Sequence, residues 1–294
     1  YTYFLGIQGG WRLIPVIYAV LLVIVGILTW VIVPRQDRAA GASKPVKEML
    51  QPLKNVRVWR FSLYYVAVFG AYVALSAWLP KYYVDVYGLE LSQAALLTAL
   101  FIFPASLLRP FGGIASDRFG ARKVMYVCFG IMLVASGILM MPYGHIVLTH
   151  NDGSTSEVMP WTVGVGFFTL LVFLMGCAMG IGKAAVYKHI PEYFPNDVGA
   201  VGGLVGSLGA LGGFFLPPLF AYAAAWTGMP QATFFVVFIV TLIAAVWMHL
   251  TVVSMLHMAS PDLKDKFEHD HAESVEDEAP FIDKNDLTQT GVSS

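Results

Sequence analysis

Seven apolar runs, each long enough to cross a bilayer, constrain this 294-residue chain more than any other feature. They fall at about 12–34, 60–80, 92–115, 122–143, 160–190, 198–225 and 230–256. A hydrocarbon core of ~30 Å takes about 20 helical residues. Inside it every backbone N–H and C=O must find a partner within the protein, and a run of this length does so as a helix. With 57% of residues hydrophobic and only 13% charged, an ordinary soluble globule is excluded. The predicted class is all-α, a polytopic membrane protein of seven transmembrane helices. The net charge of −1 says little, because ten of the nineteen acids lie in 262–286. That acidic tail, 257–294, is poor in apolar residues and is expected to be disordered. Cys128 and Cys177 both sit in apolar runs, so neither a disulfide nor a metal site is expected. The chain begins at Tyr1 without a signal-peptide pattern and reads as a piece of something longer.

Basic residues orient the array. The 35–59 linker carries Arg35, Arg38, Lys44, Lys47, Lys54 and Arg57, so the positive-inside rule puts it in the cytoplasm. Two crossings later the turn DRFGARK (117–123) is basic as well, and the turn around Lys188 to Asp197 falls on the same side. The connection 144–159 has no Lys or Arg and falls outside. The tail is then cytoplasmic, and the protein is expected in the cell (inner) membrane. Trp78, Trp161 and Trp226 fall near the predicted interfaces and read as anchors.

One charge stands out against this pattern. Arg109 is preceded by some twenty apolar or small residues and lies eight residues before Asp117. If the segment is one helix, Arg109 sits roughly 12 Å inside its end, close to the midplane of a ~30 Å core. A charge at that depth is expensive and marks a functional site.

The turn GGIASDRFGARK (112–123) resembles motif A of the major facilitator superfamily, G-x-x-x-D-R-x-G-x-R-[KR]. The matching residues are Gly113, Asp117, Arg118, Gly120, Arg122 and Lys123. The resemblance implies two six-helix halves rocking about a site between them. Motif A follows the second helix of a half, so 60–256 is expected to be one complete half, the carboxy-terminal one. The run 1–34 would then hold helix 6 of the whole transporter. The amino-terminal half of the same transporter becomes an expected partner, alongside the lipid bilayer.

A narrower resemblance lies in GAVGGLVGSLGALGGFFLPPLF (199–220), which is similar to the glycine-rich signature of the nitrate/nitrite porter (NarK-like) family. Gly206, Gly209 and Gly213 belong to a stripe recurring every three or four residues. Such a stripe lets a helix pack tightly and lets backbone approach a small ligand. The family resemblance also implies an aromatic pair on the first helix of the half, here Tyr65 and Phe69, and an anion-binding arginine on the second, here Arg109. Tyr65 and Phe69 are spaced i, i+4 and share a helix face. Counted from Arg60, Phe69 lies about 13 Å deep, near the level of Arg109. Arginine suits nitrate because a planar fork of donors matches two oxygens of a planar anion. A second arginine, from the amino-terminal half, would complete the site.

Lys183, in GCAMGIGKAAVYKHIPEYFP (176–195), departs from that pattern. A lysine can lose its proton when buried, so Lys183 is a candidate for proton coupling. A lysine snorkelling to the interface is the alternative. Lys188 and His189 are expected at the cytoplasmic interface. The GxGK string lacks the spacing and the Ser or Thr of a phosphate loop.

No enzyme constellation is present, and no cofactor and no nucleic-acid partner is expected. His145, His150 and Asp152 are too loosely spaced for a metal site, and His269 and His271 fall in the acidic tail. The expected function is transport of nitrate, nitrite or both by alternating access. Proton-coupled uptake is favoured over nitrate/nitrite exchange because of Lys183. A carrier of another small anion or organic acid, and a non-transporting membrane sensor or interaction protein, remain as alternatives.

Overall fold

The computed structural model describes residues 3–4, 7–8, 13–33, 46–142, 144–149 and 153–259. Two compact units are present, 1–51 and 52–294. The first holds β1 (Tyr3–Phe4) and β2 (Ile7–Gln8), a minimal antiparallel hairpin, and α1 (Leu13–Ile32). Along α1 the apolar side chains are exposed on every side, as in a helix whose neighbours are lipid or other helices.

The second unit is a helical bundle. α2 (Val56–Tyr87) begins inside the stretch read as linker, because Asn55 caps it: its Oδ1 accepts the Arg57 N–H at 3.0 Å. It is α-helical to Tyr65, passes through a π-helical turn at Val66–Gly70, and continues from Ala71 to Tyr87. α3 (Leu91–Leu107) and α4 (Arg109–Phe119) meet at a 45° bend. The span read at 92–115 is thus a bent pair of helices rather than one continuous helix. Pro110 has no N–H to give to the Ser106 carbonyl, and its ring crowds that turn, so the helix breaks at Leu108.

α5 (Ala121–Leu139), α6 (Val165–Tyr193), α7 (Val198–Thr227) and α8 (Ala232–Ala259) complete the set. Counting the bent pair as one span, up to seven helices among the described residues are long and apolar enough to cross a membrane. The connection 144–159 contains a hairpin, β3 (Gly144–Thr149) paired with β4 (Thr155–Trp161), with Leu148 opposite Ser156. The side chains of His145 and Trp161, together with His150 and the acidic residues from 260 onward, lie outside the described residues.

α6 is the central helix, packing on α3, α4 and α5, while α7 packs on α2. Glycines make both crossings. A Cβ at Gly176 would stand 2.6 Å from the Phe101 carbonyl oxygen, and one at Gly180 would stand 2.8 Å from that of Pro104. A Cβ at Gly112 would strike the Ile181 backbone. On the other crossing, a Cβ at Gly70 would be 2.8 Å from both the Gly209 carbonyl oxygen and the Gly212 Cα. Backbone thus lies on backbone, which gives close van der Waals contact where lipid offers no hydrophobic drive. The buried positions of α7, Val201, Val205, Gly209, Gly212, Leu216 and Phe220, form one helical stripe.

Gly176→Ala should therefore lower stability by about 1–3 kcal/mol despite the better helix propensity of alanine. Gly130→Ala, where a Cβ meets nothing within 4 Å, should be close to neutral. Thermal unfolding of the purified protein in detergent reads the difference.

Candidate functional site

The π-turn, the 45° bend and the two glycine crossings converge on one cluster. The π-turn is closed by an i→i+5 bond from the Ala71 N–H to the Val66 carbonyl, which widens the helix between Tyr65 and Phe69. Their rings stack at 4.9 Å with 19° between planes. Arg109, the first residue after the bend, donates from Nη2 to the Tyr65 hydroxyl at 3.2 Å. Arg109 itself is exposed on the surface of this chain. Tyr187 of α6 meets the Tyr65 ring edge-on at 5.1 Å and donates its hydroxyl to the Gly202 carbonyl at 3.2 Å.

Lys183 is buried, at 2% exposure, so the snorkelling alternative does not describe it. Its ammonium donates to the Ala105 carbonyl at 3.1 Å, just before the bend. It lies 3.2 Å from the centre of the Tyr72 ring and 5.5 Å from that of Phe69. An aromatic face attracts a cation through its quadrupole, most strongly where water is excluded. Tyr72 is in turn tied by its hydroxyl to Ser106 Oγ at 3.0 Å. The Gly176 and Gly180 contacts set this geometry, because they bring the α6 backbone down onto α3 one turn from Lys183.

The glycine stripe is filled by this chain's own side chains. A Cβ at Gly209 would strike the Tyr65 ring, one at Gly206 would be 2.6 Å from the Tyr187 hydroxyl, and one at Gly213 would be 2.7 Å from Val73 Cγ1. Gly206 and Gly209 seat aromatic side chains, and Gly213 seats Val73. Tyr72, Tyr187 and Ser106 were not singled out from sequence. Tyr187 lies four residues after Lys183 and Tyr72 three after Phe69, a same-face spacing that could have flagged both.

At one end of the bundle the motif A residues form a second cluster. Gly120 holds φ at +87°, where other residues are strained, and its N–H bonds to the Ser116 carbonyl at 3.0 Å. Asp117 forms an ion pair with Lys188 of α6. Arg118 lies over Phe119, with its guanidinium carbon 5.5 Å from the ring centre. A Cβ at Gly113 would meet nothing within 4 Å, whereas its neighbour Gly112 makes the tight helix contact. Lys123 is exposed, and Arg122 lines a small pocket beside Arg60 and His189. His189, expected at the interface with Lys188, is buried and stacked on Phe61.

A sequence profile of the Major Facilitator Superfamily matches residues 2–144 and 88–283. A "Probable nitrate/nitrite antiporter NarK1" of Thermus thermophilus is 69% identical over 262 residues, covering 89% of this chain and 59% of the relative. A "Probable nitrate transporter NarT" of Staphylococcus epidermidis is 30% identical, covering 81% of this chain and 56% of the relative. A "Nitrite extrusion protein" of Bacillus subtilis is 29% identical, covering 82% and 56%. The chain thus spans somewhat more than half the length of these relatives. A crystal structure of tetrameric PepTSo2 superposes with a TM-score of 0.53 at 15% identity, over 67% of this chain and 41% of the other, a likeness of fold.

The motif A ion pair is testable by charge exchange. Asp117→Lys should lower the thermal midpoint, and adding Lys188→Asp should restore part of the loss. No recovery in the double variant would mean the pair contributes nothing to stability.

Proposed function

We propose a function from one premise: this chain belongs to the major facilitator superfamily. It is a multi-pass membrane protein, and its relatives within the superfamily are named for nitrate and nitrite. On our reading it supplies helix 6 and the carboxy-terminal six-helix half, 60–256, of a nitrate/nitrite transporter. The amino-terminal half would face Arg109 across the transport path. The DRFGARK end lies in the cytoplasm on this reading, following the positive-inside rule.

The observation that carries the proposal is the Arg109–Tyr65 hydrogen bond beside the stacked Phe69 ring. One guanidinium donor is oriented by the phenol, and the rest of the fork stays open on an exposed surface. A planar anion of four heavy atoms can take two of those donors in its own plane. The aromatic faces would flank it and exclude water. Gly209 and Gly206 enter the mechanism by seating Tyr65 and Tyr187, and Gly213 by seating Val73 of the same helix as Tyr65. Rocking of the two halves would then expose the anion to either side of the membrane in turn.

Lys183 supports proton-linked uptake. It is a second cation in the same cluster, held by a carbonyl and a ring face. An anion arriving at Arg109 favours the charged ammonium, and its departure favours the neutral amine, so substrate and proton would travel together. Exchange of nitrate for nitrite is the second reading, favoured by the antiporter name of the Thermus relative.

Three measurements on the full-length protein in proteoliposomes test this. Nitrate should be taken up, and an absence of both uptake and nitrate binding would leave another small anion or organic acid as substrate. Arg109→Lys keeps the charge but loses the fork, and should weaken nitrate binding by roughly tenfold to a hundredfold, the worth of a charged hydrogen bond of about 1.5–3 kcal/mol. Near-normal binding in that variant would remove the planar-recognition argument. Lys183→Gln should abolish the pH dependence of net uptake while leaving nitrate/nitrite exchange measurable. Unchanged pH dependence would end the coupling role of Lys183.

A further inference from the structure

A second cluster of cations lies at the DRFGARK end, away from Arg109 and Lys183. Arg60 of α2, Arg122 of α5 and His189 of α6 line a half-open pocket closed on its remaining side by Thr251, Val252 and Met255 of α8. Arg60 and His189 are more than nine-tenths buried, at 7% and 6% exposure. Among the described residues, Arg60 Nε and His189 Nδ1 have no hydrogen-bond partner. The nearest carboxylate oxygen, on the largely exposed Glu192, is 3.8 Å from His189 Nδ1, beyond hydrogen-bond reach. Phe61 orders the cluster: its ring stacks on His189 at 5.7 Å and 2°, and the Arg60 guanidinium carbon sits 5.2 Å from its centre. Arg57 lies over Tyr193, another pocket residue, and adds a further positive charge.

The arrangement is costly as it stands. A guanidinium stays charged wherever it is placed. Burying a charge with an unsatisfied donor is tolerated where a counter-charge and hydrogen bonds compensate. Among the described residues the acid beside this group of cations is Glu192, 3.8 Å from His189 Nδ1 and largely exposed. The ring stacks hold Arg60 and His189 in place, so a small anion entering the pocket would find its donors already oriented.

We propose that this pocket is a second anion-binding site, distinct from the one at Arg109, that takes a singly charged small anion through Arg60, Arg122 and His189. The enclosed space, about 20 Å³, suits one halide or one anionic oxygen with the rest of its group in the open mouth. Two sources carry that chemistry. One is a free inorganic anion. The other is a carboxylate from residues 262–286, which hold ten acids and follow closely in sequence after the α8 residues lining the pocket. The proposal does not depend on the substrate of the Arg109 site.

The test uses the purified full-length transporter carrying Arg109→Gln, so that the first site has lost its guanidinium. Sodium bromide is compared with sodium gluconate at equal ionic strength, reading thermal unfolding. Bromide should raise the midpoint by several degrees, Arg60→Gln should remove most of that shift, and Arg60→Lys should restore part of it. His189→Leu serves as a second variant if Arg60→Gln does not fold. Bromide anomalous diffraction should place a peak between Arg60 and His189. Truncation after Ala259 separates the sources. A larger bromide shift without the tail identifies the tail carboxylate as occupant, and an unchanged shift identifies the free ion. A bromide shift that survives both Arg60→Gln and His189→Leu, or crystals of the truncated protein with no anomalous peak in the pocket, would overturn the proposal.

Discussion

Backbone-to-backbone packing at two glycine crossings is the contact on which the site depends. Gly176 and Gly180 let α6 lie against Phe101, Pro104 and Ala105, and Gly70, Gly209 and Gly212 let α7 lie against α2. With any side chain at these positions the helices would stand further apart. The Lys183 ammonium would then lose the Ala105 carbonyl, and Tyr65 would lose the space it occupies over Gly209. Lipid supplies no hydrophobic drive for helices to associate, so the dispersion gained by this close approach holds the bundle together.

Two local irregularities convert that packing into the geometry of the candidate site. The π-turn at Val66–Gly70 stacks Tyr65 on Phe69, and the bend at Leu108 aims Arg109 at the Tyr65 hydroxyl. Neither is the lowest-energy form of an isolated helix. Each frees a backbone carbonyl or widens a turn, and such costs persist where the surrounding structure over-determines them. The Tyr72–Ser106 and Lys183–Ala105 contacts, from two other helices, hold the turn just before the bend.

Length and hydropathy made the spans legible, because a hydrocarbon core of fixed thickness dictates them whatever the detail. The level shared by Arg109 and the aromatic pair was legible too, since a constant rise per residue locates both. The π-turn was not, because an i→i+5 bond leaves no signature in composition. The bend was written in Pro110 but hidden by treating 92–115 as one apolar run. The hairpin at 144–161 had its signal in Asn151-Asp152-Gly153 between two β-branched runs, and only Gly153, at φ +82°, is described. The glycine stripe shows the limit most clearly. Its spacing revealed a smooth face, but whether ligand or protein fills such a face depends on residues such as Tyr65 and Tyr187, which other helices supply.

The two cations of the cluster divide the work by their surroundings. Lys183 is held by a carbonyl and a ring face, so it offers little selectivity of shape. Arg109 is exposed and tied by one donor, so it supplies directional bonds to whatever approaches. Exchanging them would fail on both counts. A guanidinium placed at 183 would have five donors to satisfy beside one carbonyl. An ammonium at 109 would attract anions of any shape and recognise none by plane. The same logic separates this cluster from the one around Arg60, where the guanidinium is buried, is held against a ring and lines a half-open pocket. There the proposed anion would be retained, whereas at Arg109, on an exposed face, the proposed substrate would bind and leave.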